Sequence, residues 1–258
     1  METTDGMWED SGRSSAGDLE RWKVVRSMVH EMRSVLTAAK IGAEVLVGPR
    51  ANDPGYRKRY AEMIAEQTSR VARLLEDFSE LVRPAATTPP SDDETADLNA
   101  ALDSAGRELA GLATHLEQDM RLTPAAGAAL VAGDQARVTQ ALRGLLEYFL
   151  VSSPRGGAVD VAVDLATSEA DAVTVSFTRR PPPGAETSDH TLDWTRISPA
   201  AARRIVERYG GTAQVTEGGQ DLVLVVTFPR ERGILSAALR EEPGQQDGLY
   251  YLAEERAA

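Results

Sequence analysis

The chain lacks cysteine and has only three histidines, His30, His115 and His190, among its 258 residues. The absence of cysteine excludes disulfides, a thiolate nucleophile and cysteine-ligated zinc or iron–sulfur sites, and three scattered histidines argue against a histidine-rich metal site. The longest apolar run, Leu222 to Phe228, is far shorter than the ~20 residues that span a bilayer, and the first residues lack the pattern of a secretory signal. We therefore expect a cytoplasmic protein.

Basic charge is also scarce, because 28 Lys and Arg residues face 40 Asp and Glu residues and leave a net charge of −12. Residues 1–83 carry 13 basic against 14 acidic side chains, so nearly all the excess negative charge lies in the rest of the chain. So acidic a surface repels nucleic acid and anionic lipid, and we expect neither partner. An apolar fraction of 42% and a charged fraction of 26% are typical of globular proteins, and the length corresponds to one or two domains.

Residues 18–84 are predicted to form a helical hairpin, with Asp18 as the N-cap of its first helix. The turn before the second helix ends in Asp53-Pro54, an N-cap followed by proline at the first helical position. Apolar residues recur in both segments at alternating steps of four and three. The first stripe comprises Val25, Val29, Met32, Leu36, Ala39, Ala43 and Leu46, and the second Tyr60, Ile64, Gln67, Val71, Leu74, Phe78 and Leu81.

Each stripe is wider than the seam of a two-stranded coil, since Met28, Val35 and Gly42 extend the first one. Three apolar positions in seven are typical of a four-helix bundle, so we predict that two chains pair their hairpins into a homodimeric bundle. The alternative is that the second domain folds back and covers the stripe within one chain. We favour the dimer, because a linker separates the second domain from the hairpin.

The rest of the chain is predicted to be an α+β domain in sandwich form. The predicted organisation is a disordered N-terminus (1–17), the hairpin (18–84), a proline-rich linker (85–96), the α+β domain (97–230) and an acidic C-terminal tail (231–258). Within the α+β domain we expect helices near 97–112, 134–150 and 198–209, strands near 158–165, 172–178, 212–217 and 221–228, and a strand region of uncertain extent before 132.

His30 falls outside the apolar stripe of the first helix, so its imidazole is predicted to face water on the flank of the bundle. A neutral imidazole attacks phosphorus near pH 7, and the phosphoramidate that forms is labile enough to pass the group on. Glu31 is placed to hold the proton of the other ring nitrogen, and Ser34, one turn on, to orient a water molecule or a phosphoryl oxygen. For an isolated histidine, the alternative is a solvated side chain without a role.

The segment 30–37, His-Glu-Met-Arg-Ser-Val-Leu-Thr, resembles the H box of bacterial sensor histidine kinases, usually His-Glu-x-Arg-Ser/Thr-Pro-Leu-Thr. The resemblance implies that His30 is the phosphorylated residue and that Arg33, Ser34 and Thr37 belong to the surface that binds partners. The segment departs from the family at Val35, where a proline usually bends the helix, so a straighter helix is expected.

The second domain resembles the ATP-binding domain of the same kinases, the Bergerat or GHKL fold. Residues 134–142 resemble the start of the family's N-box helix, residues 153–157 its exit, and residues 203–211 the late helix that ends in Gly-Gly. The likeness extends over roughly residues 20–230.

Each aligned position that binds nucleotide in the family has changed. The two N-box asparagines correspond to Gly144 and Tyr148, the adenine-reading Asp-x-Gly-x-Gly box to residues 179–183 (Arg-Arg-Pro-Pro-Pro), and the phosphate-wrapping glycine segment to residues 196–199 (Arg-Ile-Ser-Pro). Proline supplies neither the N–H groups nor the backbone freedom of glycine. ATP binding is therefore predicted to be lost, and no cofactor or metal is expected on this chain.

This combination resembles the bacterial histidine phosphotransferases of the ChpT kind, with a kinase-like hairpin and a degenerate ATP-binding domain. The resemblance implies a phosphorelay protein without ATP-dependent kinase activity that shuttles phosphate through His30. Response-regulator receiver domains, which would supply the magnesium ion, and a hybrid histidine kinase are the partners it implies. The alternative is a non-catalytic adaptor or inhibitor that uses the kinase fold to sequester a kinase or response regulator.

Overall fold

A computed structural model of the chain describes residues 14–83, 94–165, 172–184, 192–218 and 221–230. The predicted acidic tail, most of the predicted linker and residues 1–13 of the predicted disordered N-terminus lie outside these residues. Within the described part, a helical hairpin is followed by an α+β domain, as the sequence predicts.

The hairpin consists of α1 (Ser14–Val47), a short 3₁₀ helix (Pro49–Asn52) and α2 (Pro54–Val82). The predicted N-cap of α2 is confirmed, because a side-chain oxygen of Asp53 accepts the N–H groups of Gly55 and Tyr56. The predicted N-cap of α1 at Asp18 is wrong: residues 14–17 are already helical. A long helix extends through a few residues of lower propensity without a cap, because each added residue only propagates an existing helix.

In the described residues of the second domain there are ten elements: β1 (Thr95–Asp97), α3 (Leu98–His115), β2 (Asp119–Thr123), β3 (Leu130–Ala132), α4 (Gln135–Ser152), β4 (Ala158–Leu165), β5 (Ala172–Arg180), α5 (Ile197–Arg208), β6 (Thr212–Gly218) and β7 (Asp221–Pro229). The predicted helices and the four long strands are confirmed within three residues at each end. The linker prediction is wrong for Thr95 and Ala96, which form β1 and pair with β3. A three-residue strand is too short to show a period of two.

Five strands form a mixed sheet in the order β2-β4-β5-β7-β6, in which only β2 and β4 are parallel. Burial alternates along β4, β5 and β7, so one face of the sheet is buried. Helices α3, α4 and α5 pack on that face around Phe149, Phe177 and Phe228, which are fully buried. The result is a two-layer sandwich with a single apolar core.

The second domain folds back on the hairpin. This arrangement is the alternative that the intervening linker did not favour. Helix α5 packs against both α1 and α2, and Ile197 at its start is fully buried with Val35 and Leu74 of the hairpin. The cover is partial, because other apolar side chains of the hairpin stay exposed. The exposed large apolar side chains of the hairpin include those of Trp22, Val29, Leu36, Ile41, Val47, Leu75 and Val82.

None of the helices in the described ranges is both long and apolar enough to cross a membrane.

Candidate functional site

His30 lies on the exposed flank of α1, as the heptad position predicts. Its ring has no hydrogen-bond or ion-pair partner among the residues that the structure describes. Helix α1 continues without a break through Val35, the position that holds proline in the H box. The imidazole is therefore open to a molecule that approaches the hairpin from the side.

Arg33, Ser34 and Thr37 are also exposed on α1, within two turns of His30. The hydroxyl of Thr37 donates to the carbonyl oxygen of Arg33 over 2.7 Å, the usual contact of threonine inside a helix. Arg33 and Thr37 border a shallow cavity of about 400 Å³, together with Val29, Met32, Leu36 and Lys40. The structure thus joins two of the three predicted partner-binding residues to an apolar patch with a basic rim.

Glu31 is directed away from the role that the sequence predicts for it. Its carboxylate forms an ion pair with Arg196 over 2.8 Å and accepts a hydrogen bond from Ser27 over 3.1 Å. Consecutive helical residues are about 100° apart around the helix axis, so Glu31 and His30 point in different directions. The expected contact between Glu31 and the His30 ring is not made. Nothing in the sequence marks Arg196 as its partner.

The positions aligned with the N box lie on α4 and are covered by the start of α5 and the residues before it. A Cβ atom added at Gly144 would lie 3.3 Å from Cβ of Ser198, and the hydroxyl of Tyr148 accepts the N–H of Asp193 over 2.9 Å. The cavity that adjoins Tyr148 measures about 180 Å³, below the ~300 Å³ at which small-molecule pockets usually begin. A glycine and an occupied phenol do not fit a magnesium ion, which prefers carboxylate and amide oxygens.

Arg179 stands where the family has the aspartate that reads adenine. Its side chain is 5% exposed and donates to the carbonyl oxygen of Ser152 over 3.2 Å, at the C-terminal end of α4. A cation is favourable there because that helix end carries partial negative charge. Burial lowers the pKa of Arg179. Arg180 forms ion pairs with Asp160 and Asp221 on neighbouring strands, so both arginines serve the fold.

The contact between the domains depends on two buried carboxylates of α2 that sequence reasoning missed. Glu80 is 1% exposed and forms ion pairs with Arg137 over 3.1 Å and Arg208 over 2.9 Å. Asp77 is 2% exposed and accepts hydrogen bonds from Gln140 and Ser198.

Burial raises the pKa of Asp77, against the lowering effect of Gln140, Ser198 and Arg143. A larger cavity of about 890 Å³ borders Glu80, with charged residues of both signs on its walls and neither Gly144 nor Tyr148 among them.

No family model matches the sequence, and no curated protein matches it. Solved structures, however, match the fold of this chain. Histidine kinase AdeS of Acinetobacter baumannii superimposes with a TM-score of 0.51 at 16% identity, over 78% of this chain and 97% of that one. Full-length ShkA in complex with AMPPNP gives a TM-score of 0.50 at 13% identity, over 80% of this chain and 45% of ShkA. The fold is that of histidine kinases. At these identities the likeness shows the arrangement of a hairpin and an ATPase-like domain, and activity needs its own evidence.

Proposed function

We propose that this chain is a histidine phosphotransferase of a two-component phosphorelay, similar to those of the ChpT kind, in which His30 accepts and releases the phosphoryl group. The observation that carries the proposal is the open, unpartnered imidazole of His30 on a kinase-type hairpin. Such a ring is accessible to the phosphorylated aspartate of a receiver domain. Arg33, Ser34 and Thr37 surround it on the same exposed flank.

The transfer step forms one bond and breaks one. The lone pair of a ring nitrogen of His30 attacks phosphorus, the P–O bond to the receiver's aspartate breaks, and that aspartate leaves as a carboxylate. The proton on the other ring nitrogen passes to water. The reverse steps hand the group to a second receiver. Because the transition state of phosphoryl transfer is loose, this chain's part is mainly to position His30.

The chain is proposed to obtain its phosphoryl group from a partner and not from ATP. Support comes from α4, where Gly144 and Tyr148 are covered by the residues around Asp193 and Ser198. It comes also from Arg179, whose guanidinium is engaged at the end of α4. In a kinase, the residues at these aligned positions would contact adenine and magnesium. In this chain they contact other residues of the same domain.

A homodimer is part of the proposal. The side chains of Val29, Leu36, Leu75 and Val82 are between 46% and 60% exposed on the two helices of one hairpin. Exposed apolar side chains in register along a shaft are what a second hairpin covers in a four-helix bundle. A dimer would present two His30 side chains to partners.

The function is tested with receiver domains labelled by radioactive acetyl phosphate. Incubation with the full chain should move the label to His30, identified by mass spectrometry of the phosphopeptide, and magnesium-ATP should neither bind in calorimetry nor label the chain. A stable complex with a receiver but no label on His30 would support the adaptor alternative and refute the phosphotransferase. Saturable ATP binding would refute the loss of the nucleotide site.

A further inference from the structure

Three consecutive residues at the start of α5 each contact the hairpin, and we call residues 196–198 the docking segment. Arg196 forms the ion pair with Glu31. Ile197 is fully buried with Val35 and Leu74. The hydroxyl of Ser198 donates to the carboxylate of Asp77 over 2.6 Å. The segment thus reaches both helices of the hairpin through one charged, one apolar and one hydrogen-bonding side chain.

Arg196 is not explained by the needs of α5. It occupies the N-cap position, where its side chain makes no capping hydrogen bond. Serine, threonine, aspartate or asparagine at an N-cap stabilises a helix, whereas a cation at a helix N-terminus opposes the helix dipole. The carboxylate of Glu31 offsets both costs because it places a negative charge beside Arg196. The side chain at this position therefore serves the contact with α1.

The contact is made on the two turns of α1 that directly follow His30. Glu31 follows His30 directly, and Val35 lies four residues after Glu31 on the same face of the helix. Both side chains are held by the docking segment. The backbone that carries His30 is thereby fixed to the second domain, while the imidazole itself stays exposed.

We propose that the docking segment locks the second domain onto the hairpin and that Arg196, through Glu31, is a positioning residue for His30. The inference rests on the proposed phosphotransfer function. It assigns a role to the degenerate domain: residues aligned with a phosphate-wrapping loop hold the surface that a receiver meets. Arg196 acts through Glu31 and does not touch the phosphoryl group.

The charges around this contact decide how the test is designed. The cavity beside Glu31 is also lined by Arg70 of α2, Glu147 of α4 and Asp193, so the contact contains both signs. Arg70 already forms an ion pair with Glu147 over 3.5 Å. Exchanging Glu31 and Arg196 keeps the total charge, so the double variant Glu31→Arg, Arg196→Glu isolates the pair from its surroundings.

The first measurement is the distance between the domains. Because the chain has no cysteine, two introduced ones, Glu66→Cys on α2 and His115→Cys on α3, take spin labels selectively; both positions are exposed. Labelled chains are mixed with an excess of unlabelled chains, so that a proposed dimer carries one labelled protomer. Pulsed electron paramagnetic resonance should then give one narrow distance distribution in the parent. Arg196→Glu should broaden it, and the double exchange should narrow it again. Arg107→Glu, an exposed arginine of α3 paired with Asp103, is the matched control and should change nothing.

The second measurement is phosphorylation of His30 by two donors. Transfer from a phosphorylated receiver should fall about tenfold in Arg196→Glu and return in the double exchange and in Arg196→Lys. Labelling by phosphoramidate, a small donor from which the imidazole displaces ammonia, should change less than twofold, because it requires no docked surface. Equal losses of both reactions would show that Arg196 governs the reactivity of the imidazole itself, and they would overturn the positioning role.

An interdomain distance unchanged by Arg196→Glu, or receiver transfer at the parent rate, overturns the inference while the proposed function stands. If receivers never label His30 of the parent, the proposed function fails. The spin-label distances then still decide whether the docking segment holds the domains together.

Discussion

The helical hairpin and the second domain bury different kinds of side chain. The second domain has a continuous apolar core, whereas the described hairpin buries only Val35 and Leu74 among its large apolar residues. Two other buried hairpin residues, Asp77 and Glu80, are acidic and face the second domain. The hairpin therefore depends on its surroundings: on the second domain through charge, and on a proposed second copy through exposed apolar side chains. The chemistry that we propose lies on the region that buries fewer apolar side chains.

Replacing the proposed acceptor is the change with the largest expected effect. His30→Ala should reduce label from a phosphorylated receiver at least about a thousandfold, because His30 is the only histidine among residues 18–84 of the hairpin. Its thermal unfolding should match the parent, since an exposed position contributes little to stability. His115→Ala, the matched control on an exposed histidine of the second domain, should keep the parent rate. Label retained in His30→Ala would show that a residue other than His30 accepts the phosphoryl group.

The proposed dimer contact on the exposed apolar side of the hairpin is tested by introducing a charged side chain. Leu36→Glu should weaken self-association at least about a hundredfold, because the dimer would bury an unpaired carboxylate. Light scattering after size exclusion should find a dimer for the parent and a monomer for the variant at micromolar concentration. Val215→Glu alters a side chain of the second domain that is 36% exposed and should leave the dimer intact. A monomeric parent would contradict the prediction and leave the comparison with the second domain unexplained.

The elements of the fold could be read from the sequence because their causes are local. Asp53 and Pro54 mark the start of α2 by capping chemistry alone, and the alternation of Val173, Val175 and Phe177 marks a strand with one buried face. The exposed flank that carries His30 follows from a helical period. Each of these signals lies within a few consecutive residues.

The contacts between the domains could not be read in the same way. Ser198 and Asp77 meet although 121 positions separate them, and neither residue has a neighbour that announces the other. Adjacency in sequence predicts a contact between Glu31 and His30, yet helix geometry directs the carboxylate of Glu31 toward Arg196. Short-range patterns give elements and exposed sites, whereas the choice of a charge partner depends on how elements pack.

The contribution to stability of the buried acidic side chains of the hairpin is tested at Glu80. Glu80→Ala removes the shared partner of Arg137 and Arg208 and should lower the free energy of unfolding by about 2 kcal/mol, less than for a fully buried pair because both arginines reach solvent. Urea unfolding measures the loss. Glu62→Ala breaks an exposed ion pair with Lys58 and should cost less than about 0.5 kcal/mol. Equal costs for the two variants would show that the domain contact is no stronger than a surface pair.

The smallest expected effect is a pH dependence of the free energy of unfolding, which arises from the buried carboxyl group of Asp77. Burial raises the pKa of Asp77 in the folded chain, so the folded state holds this proton more tightly than the unfolded state does. The group therefore stabilises the fold at low pH, and this contribution is lost as the pH rises through the folded-state pKa. Relative to Asp77→Asn, the parent should gain unfolding free energy as the pH falls from 7 to 4.5.

Urea unfolding of both proteins at the two pH values measures the Asp77 effect, and Asp103→Asn serves as its control because that carboxylate is exposed beside Arg107. The control should show no comparable gain. A parent that loses stability relative to Asp77→Asn as the pH falls would mean that Asp77 is held as a paired anion. The domain contact would then be a network of ion pairs throughout, and Gln140 and Ser198 would stabilise charge instead of satisfying a carboxyl group that burial disfavours in its ionised form.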